Sequence, residues 1–374
     1  MNLQQLLADR TGRIEASGIR RVFDMAASLK DPIDLSIGQP DFDVPKEVKA
    51  AAKEAIEAGH NRYTPSAGWP DVREYILDRF EARQGTRPPA AMLTAGASGA
   101  LTLVLMALLD PGDEILIPDP FFVSYKHLTA MCGGVASYYD TYPAWQLDFE
   151  ELERKVTPKT KAMLLMSPAN PTGACLCDEA KERVADFARR RGLVLVSDEV
   201  YEPFVYRGAS TRSVACWYPE GTLVISGLSK TASMTGWRLG WALGPEWLVE
   251  GMTKLQQFTF VCAASFAQKT VAAALDRDFG PTLKAYEFKR DRMVEGLRSA
   301  GYQVVEPEGA FYVFVKVPAK YGTGQAFVEA ALKQRLLTVP GHVFSQRDTH
   351  VRLSFAASDE RLEAGLEVLR KLGS

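Results

Sequence analysis

The stretch Ser226-Gly-Leu-Ser-Lys230-Thr-Ala-Ser-Met-Thr-Gly236-Trp-Arg238-Leu-Gly240 directly follows the apolar run Thr222-Leu-Val-Ile225. The apolar run predicts a buried strand, which places the lysine where that strand leaves its sheet. A lysine amine in this position can form a Schiff base with a carbonyl, provided that burial or a nearby cation keeps enough of it deprotonated. The neighbouring hydroxyl groups and Arg238 suit an anionic group on the same ligand, such as a phosphate. The alternative is an ordinary solvated lysine on a surface loop.

Asp198 and Arg352 are charged residues in segments that otherwise predict strands. Asp198 ends the run Gly192-Leu-Val-Leu-Val-Ser-Asp198, at the carboxyl edge of a sheet, where α/β proteins bind ligands. Leaving a buried carboxylate without a cation costs about 3–5 kcal/mol, so Asp198 is expected to pair with a basic side chain or with a ligand cation. Arg352 alternates with apolar residues in His350-Val-Arg-Leu-Ser-Phe355, and it is either a surface charge or a fork that grips a carboxylate.

A turn of small residues, Ala95-Gly-Ala-Ser-Gly-Ala100, precedes the long apolar run Leu101–Leu109. The run predicts a buried helix, and the free N–H groups at its start favour a phosphate. Small residues at this place also allow a helix to pack tightly against a sheet, and both interpretations stay open. The turn matches neither the pattern G-x-G-x-x-G nor a Walker loop, which argues against a nicotinamide-dependent dehydrogenase.

Four strings of the sequence together resemble one enzyme family. They are Tyr63–Gly68 (Y-T-P-S-A-G), Ser167–Gly173 (S-P-A-N-P-T-G), Ser229–Gly240 (S-K-T-A-S-M-T-G-W-R-L-G) and Arg352–Phe355 (R-L-S-F). In this order they resemble the class I/II aminotransferases, fold-type I enzymes that use pyridoxal 5′-phosphate (PLP), and the resemblance extends from Gly38 to Arg352. It implies an α/β fold, with a mainly parallel seven-stranded sheet between helices in a large domain and a smaller α+β domain. The expected boundaries are 1–45 for the N-terminal arm and part of the small domain, 46–285 for the large PLP-binding domain, and 286–374 for the small C-terminal domain.

The resemblance implies an enzyme that moves the amino group of an L-amino acid to a 2-oxo acid by a ping-pong mechanism. Lys230 would hold PLP as a Schiff base and move the proton, and Asp198 would pair with the pyridinium nitrogen, which keeps the ring an electron sink. The other cofactor contacts are expected from Ala97, Ser98, Ser229 and Arg238 at the phosphate, from Asn170 and Tyr201 at the phenolic oxygen, and from Phe122 on the ring face. The substrate carboxylate would be held by Gly38, Asn170 and Arg352.

In the family, the tyrosine that matches Tyr63 reaches the cofactor phosphate of a partner subunit, so the resemblance also implies a homodimer.

Three positions depart from the family pattern. Gly99 stands where Glu or Gln is usual, and Gly227 stands where many relatives have Ser. Some bacterial aspartate-type members of the family also carry Gly at the position of Gly227, so this residue indicates a subgroup. Ser98 stands where dicarboxylate-preferring members of that subgroup tend to carry Lys, which argues weakly against an aspartate-specific enzyme.

Composition limits the partners and the location of the protein. The 374 residues carry a net charge of −2, so no broad attraction to nucleic acid or to an anionic membrane is expected. The N-terminus lacks the layout of a signal peptide, and no apolar run approaches the ~20 residues that span a bilayer. The five cysteines and four histidines show no metal-ligand spacing, so we expect free thiols, no metal site and a cytoplasmic location. A short amphipathic helix is predicted from the spacing of Ile19, Val22, Phe23 and Ala26.

Two other functions are compatible with the same fold and cofactor. A PLP-dependent β-lyase would use the same lysine, aspartate and arginine. A non-catalytic PLP-binding regulator usually carries an additional helix-turn-helix, and little sequence precedes the first family motif here. Aromatic, branched-chain, alanine-like and acidic amino donors all stay open, because the motifs do not define the pocket for the substrate side chain.

Overall fold

The structure is a computed structural model that describes residues 6–16, 18 and 29–373. The amphipathic helix predicted from Ile19, Val22, Phe23 and Ala26 lies outside these residues. Helix α1 (Asp9–Gly12) is a single turn.

A seven-stranded sheet forms the centre of the described residues. The strand Leu239–Gly244 pairs antiparallel with its two neighbours, and the other four pairings in the sheet are parallel, which confirms the predicted mainly parallel sheet. In the order β2-β8-β7-β6-β5-β3-β4, the strands are β2 (Ala90–Ala95), β8 (Leu239–Gly244), β7 (Thr222–Gly227), β6 (Val194–Asp198), β5 (Thr160–Met166), β3 (Glu114–Asp119) and β4 (Val135–Asp140).

Both faces of this sheet are buried, as continuous apolar strands in a parallel sheet require. In β6, Leu195 packs into an apolar cluster on one face and Val196 into the cluster on the other. The helices before, between and after the strands are α2 (Lys46–Glu57), α3 (Pro70–Gln84), α4 (Gly96–Leu108), α5 (Ser124–Met131), α6 (Phe149–Lys155), α7 (Asp178–Arg191), α8 (Leu228–Thr231), α9 (Glu246–Phe258), α10 (Ser265–Gln268) and α11 (Val271–Leu275). Crossover connections of this kind bring the carboxyl ends of the parallel strands to one edge of the sheet.

Two smaller sheets lie in the C-terminal part. Strands β9 (Tyr312–Lys316), β11 (Val339–Pro340) and β12 (His350–Ser354) form an antiparallel sheet in the order β11-β12-β9. Strand β1 (Ile33–Asp34) pairs in parallel with β10 (Leu336–Leu337), which joins N-terminal residues to this part of the chain. The helices of this part are α12 (Gly280–Ser299), α13 (Gly324–Lys333) and α14 (Asp359–Gly373), with 3-10 turns at Ala319–Tyr321 and Gly341–Val343. Two further 3-10 turns, Val214–Cys216 and Thr235–Trp237, lie between strands of the large sheet. The domain boundaries after residues 45 and 285 stay predictions.

Some elements differ from the sequence prediction. The run Ile33-Asp-Leu-Ser-Ile37 predicts a strand, but the strand is limited to β1, because the Asp34 side chain accepts hydrogen bonds from the amide and hydroxyl of Ser36 and so turns the chain. The run Leu336–Val339 predicts one short strand, but it is divided between β10 and β11, which belong to different sheets. The apolar run Leu101–Leu109 predicts a buried Met106, and the helical spacing of Val48, Ala52, Ala55 and Ile56 predicts a buried Ile56. In the structure Met106 is 40% exposed and Ile56 is 47% exposed.

No helix within the described ranges combines the length and the apolar composition needed to cross a bilayer. In the same part of the chain, no three His, Cys, Asp or Glu side chains are grouped so that they could hold a metal ion. The cysteines Cys132, Cys175, Cys177, Cys216 and Cys262 are all free.

Candidate active site

A cavity of about 350 Å³ lies at the carboxyl ends of β5, β6 and β7, beside the first turn of α4. It brings together every residue predicted for the site except Tyr63, although these residues are far apart in sequence. For Asn170, Asp198 and Lys230 the convergence follows from their positions at or just after the ends of β5, β6 and β7, because parallel strands end at a common edge. Gly38 and Arg352 reach the cavity from the N-terminal part and from the antiparallel strand β12. The predicted residues that line the cavity are Gly38, Ala97, Ser98, Phe122, Asn170, Asp198, Tyr201, Ser229, Lys230, Arg238 and Arg352.

Lys230 lies in the single-turn helix α8, which begins directly after β7 ends at Gly227. Its Nζ donates a hydrogen bond to the carbonyl oxygen of Gly38 at 2.5 Å. Removal from water, followed by the positive charges of Arg352 and Arg238, lowers the pKa of the Lys230 amine to about 8. More of this amine is therefore uncharged at neutral pH than on an exposed lysine, as nucleophilic and basic chemistry requires.

Asp198 is the last residue of β6 and is only 2% exposed. Its Oδ2 accepts a hydrogen bond from the Tyr125 hydroxyl at 2.9 Å, and its Oδ1 accepts one from the Val200 amide at 3.3 Å. Burial raises the pKa of the carboxyl group to about 6, although both donors and the Lys230 charge favour the ionised form. Asp198 and Lys230 line the same cavity, so both are accessible to one bound ligand.

The N-terminus of α4 and Arg238 form an end of the cavity that favours an anion. Ala97 and Ser98 occupy the first turn of the 13-residue helix α4, where backbone amides lack partners within the helix. Arg238 comes so close to this turn that a Cβ atom at Gly96 would lie 2.6 Å from Arg238 Nη2. The glycine, which has a φ of +70°, thus lets a cation approach the helix start.

The departure from the family at Gly227 has a steric explanation. A Cβ atom at this position would lie 2.9 Å from the Cα of Gly240 and 2.9 Å from the carbonyl oxygen of Leu239. Gly227 and Gly240 face each other across the β7–β8 pairing, so the contact is between two backbones. The serine that many relatives carry here does not fit unless the two strands separate.

Arg352, on β12, is 1% exposed and held from several sides. Its Nη1 donates to the Asn170 side-chain oxygen at 3.1 Å, and its Nη2 donates to the Ser36 carbonyl at 2.6 Å. The rings of Tyr312 and Phe344 lie 4.5 and 4.7 Å from its guanidinium carbon. Arg352 Nε is buried and has no hydrogen-bond partner among the described residues, and the side chain lines the cavity.

Sequence reasoning missed two buried tyrosines. The Tyr312 hydroxyl lies 2.8 Å from that of Tyr201, and the Tyr125 hydroxyl contacts Asp198. Each stands in an apolar or aromatic run, Phe311-Tyr-Val-Phe-Val315 and Phe121-Phe-Val-Ser-Tyr125. A hydroxyl in such a run was the available signal, because a buried phenol needs a hydrogen-bond partner.

Tyr63 does not line the cavity of its own chain. Its side chain is 82% exposed, on the loop between α2 and α3. This placement separates it from the other predicted site residues.

Comparison with known proteins gives matches over nearly the whole chain. The family model described as aminotransferase class I and II matches residues 30–369. Over 380 aligned residues, the chain is 37% identical to aromatic-amino-acid aminotransferase 2 of Thermococcus litoralis and 37% identical to an aspartate aminotransferase of Pyrococcus abyssi, with 98% of each chain covered in both cases. The solved structure of Thermus thermophilus aspartate aminotransferase with maleate matches with a TM-score of 0.94 and 34% identity, and covers 98% of this chain and 99% of that chain.

Proposed function

Because this chain belongs to the aminotransferase class I and II family and is therefore a PLP-dependent enzyme of amino-group transfer, we propose that Lys230 binds the cofactor covalently and moves the proton of the reaction. The observation that carries this proposal is the position of its amine, in one cavity with the buried carboxylate of Asp198 and the guanidinium groups of Arg238 and Arg352. An amine, an acid for a ring nitrogen and two anion-binding groups are the set that PLP and an amino acid require together.

The donors and acceptors of the cavity fit PLP. Asp198 offers a buried carboxylate to a protonated ring nitrogen, and Arg238 stands beside the free amides at the start of α4, where a phosphate binds. Phe122 and Val200 line the cavity with apolar surface for a flat ring, and the Tyr201 hydroxyl is a donor for a phenolic oxygen. Bound PLP would supply an electron-withdrawing ring that stabilises negative charge at the substrate Cα.

Lys230 has the proton affinity that its proposed role needs. With a pKa of about 8, about a quarter of the amine is uncharged at pH 7.5, compared with roughly a thousandth for an unperturbed lysine. The hydrogen bond to Gly38 directs Nζ within the cavity. Once the amine is free, Nζ can take up the proton that leaves the substrate Cα and act as an acid afterwards.

Arg352 is assigned to the α-carboxylate of the substrate. The bonds to Asn170 and Ser36 and the flanking aromatic rings hold the guanidinium in place before a substrate binds. A pre-organised fork can form two parallel hydrogen bonds to a carboxylate without losing further side-chain entropy. Gly38 leaves room beside it, because a Cβ atom there would lie 3.1 Å from the Tyr312 hydroxyl and 3.9 Å from Arg352 Nη2.

The protein is proposed to act as a homodimer in which Tyr63 completes the site of the partner. The exposure of Tyr63 supports this proposal, since a large aromatic residue that is 82% exposed is suited to a subunit contact. Mixing a Lys230→Ala variant with a Tyr63→Ala variant under conditions of subunit exchange should restore activity that neither variant has alone. A mixture that stays inactive although the subunits exchange would contradict the shared site.

The large PLP-binding domain is proposed to comprise residues 46–285. The proposed substrates are an L-amino acid and a 2-oxo acid. The named relatives act on aromatic amino acids and on aspartate, so both classes belong in the test panel. The free cysteines support a location in the reducing cytoplasm.

The proposed function is tested by a spectrum of the purified protein with PLP, titrated with single amino acids. A donor should bleach the band of the bound cofactor, and a 2-oxo acid should restore it. Omitting the 2-oxo acid tests the β-lyase alternative, because only a lyase releases pyruvate and ammonia without an acceptor. A Lys230→Ala variant that still turns over at the wild-type rate would refute the proposed role of Lys230.

A further inference from the structure

Asp198 is a buried carboxyl group, and its surroundings disfavour the ionised form. It is 2% exposed, and removal of a carboxylate from water strongly favours the neutral acid. The neutral acid would not attract a protonated ring nitrogen, so the proposed role of Asp198 depends on groups that keep it ionised. The titratable groups that face it are Tyr125, Lys230 and, at longer range, Tyr201.

Tyr125 makes the shorter of the two hydrogen bonds that Asp198 accepts from the described residues, 2.9 Å compared with 3.3 Å from the Val200 amide. Tyr125 lies in the first turn of α5, which packs against β3, β4 and α4, and its side chain is completely buried. Burial raises the pKa of its phenol well above the usual 10, so the hydroxyl keeps its proton and remains a donor at every physiological pH.

Tyr125 also contacts the residue predicted to lie on the cofactor ring. The rings of Tyr125 and Phe122 pack edge to face, with centroids 5.6 Å apart. The same side chain therefore touches the aromatic wall of the cavity and the acid at its end. A group in this position restrains the rotation of the carboxylate, because the Tyr125 hydroxyl holds Oδ2 while the Val200 amide holds Oδ1. Each oxygen keeps a further lone pair for a ligand.

On the basis of the proposed function, we propose that Tyr125 is a positioning residue for the cofactor: its hydroxyl, hydrogen-bonded to Asp198 Oδ2, fixes the orientation of that carboxylate and keeps it ionised. Tyr125 contacts Phe122 from behind and is not itself among the residues that line the cavity. It acts through Asp198, and its effect should appear in cofactor binding before any catalytic step.

The test compares two buried tyrosines that differ in their acceptor. Tyr139 is 1% exposed, and its hydroxyl donates to the Leu164 carbonyl at the same distance of 2.9 Å. Tyr125→Phe and Tyr139→Phe each remove one buried hydroxyl, and only the first removes a bond to the acid. The stability of the PLP-free protein is measured for both variants, so that a general loss of packing is seen separately.

The dissociation constant of PLP is measured by spectroscopic titration over a range of pH. A hydrogen bond to a charged group is worth about 10- to 100-fold in an equilibrium constant, so Tyr125→Phe should weaken PLP binding by about that factor. Because the pKa of Asp198 rises when the donor is lost, the pH below which affinity declines should move upward by about one to two units. Tyr139→Phe should change neither the affinity nor this pH.

A double variant distinguishes the loss of the Tyr125–Asp198 hydrogen bond from a general loss of folded protein. It does so even if Tyr125→Phe lowers the folded fraction. In an Asp198→Asn background the charged acceptor is absent, and Tyr125→Phe should then change PLP affinity by less than about 3-fold, since a neutral hydrogen bond is worth less than a charged one. Unchanged PLP affinity and an unchanged pH dependence in Tyr125→Phe would overturn the inference, as would an equal effect in Tyr139→Phe. A wild-type protein that does not bind PLP would instead refute the proposed function itself.

Discussion

Gly227→Ser introduces the residue that many relatives carry, and it is predicted to destabilise this protein. The new Cβ atom would lie 2.9 Å from Gly240 Cα and 2.9 Å from the Leu239 carbonyl oxygen, whereas non-bonded carbon atoms prefer separations of about 3.5–4.0 Å. Both atoms belong to the backbone of β8, which is hydrogen-bonded to β7 on one side and to β2 on the other. Neither atom can move like the end of a flexible side chain. We therefore expect a loss of about 1–3 kcal/mol in the free energy of unfolding, the usual range for overpacking.

Gly236→Ser is the matched control for this prediction. It adds the same side chain nine positions away, at a site where no described atom lies within 4 Å of the added Cβ, so it should change stability by less than about 0.5 kcal/mol. Both variants are compared by denaturant unfolding of the PLP-free protein, and their PLP affinities are measured in parallel. Although a serine hydroxyl could add a contact to a phosphate, Gly227→Ser should not bind PLP more tightly, because the strained strand leads directly to Lys230. Equal stability of the two variants would refute the steric reasoning.

Three further predictions concern the charged groups. Lys230→Ala should lower kcat by at least about 10²–10⁴, the usual contribution of general acid–base catalysis, when turnover of a good amino donor is measured; near-normal turnover would contradict the role of its amine. Arg352→Lys keeps the charge and loses the planar fork, so kcat/KM for amino acids should fall by about 10- to 100-fold, while an amine without an α-carboxylate should react equally well with both proteins; a uniform loss for both substrates would contradict the assignment. In the PLP-free protein, burial raises the pKa of Asp198 from 3.8 to about 6, so the folded state binds more protons than the unfolded state between these values. The wild type should thus lose about 2 kcal/mol of stability relative to Asp198→Asn as the pH rises from about 4 to 6, and unfolding measured at both pH values that shows a constant difference would disprove the shift. Glu199, whose pKa burial raises to about 7, titrates in both proteins and does not affect that comparison.

The strands that support the site could be predicted from local patterns. The apolar runs before Asp198 and before Ser226 form β6 and β7, and the small-residue turn at Ala95–Ala100 leads into α4. Short strands were harder to predict: Leu336–Val339 forms parts of two different sheets. The position of such a short strand depends on the neighbouring strand with which it pairs. Two residues carry too little sequence pattern to indicate which neighbour that will be.

The site residues were predicted because each motif carries its chemistry in a few adjacent positions, and the end of a parallel strand is a place where such residues meet. Lys230 and Asp198 stood out by type and position, Arg352 lies on the antiparallel strand β12, and the resemblance of their motifs to one family selected all three. The sequence did not indicate what surrounds them. The lowered pKa of Lys230 and the raised pKa of Asp198 come from burial and from charges on other elements, which no local pattern contains.

The amino-acid sequence by itself determined the class of the fold and predicted the chemistry of the ligands and the residues that would bind them, because these follow from side-chain type, short-range order and the resemblance of the motifs to one family. Only the tertiary structure decided that Tyr125 supports Asp198, that Tyr312 meets Tyr201, and that Gly227 has no room for a side chain. The first two contacts join residues 73 and 111 positions apart. Contacts over such separations depend on how strands and helices pack in space. A difference of a few tenths of an ångström in the distance between two atoms decides whether they form a hydrogen bond or clash.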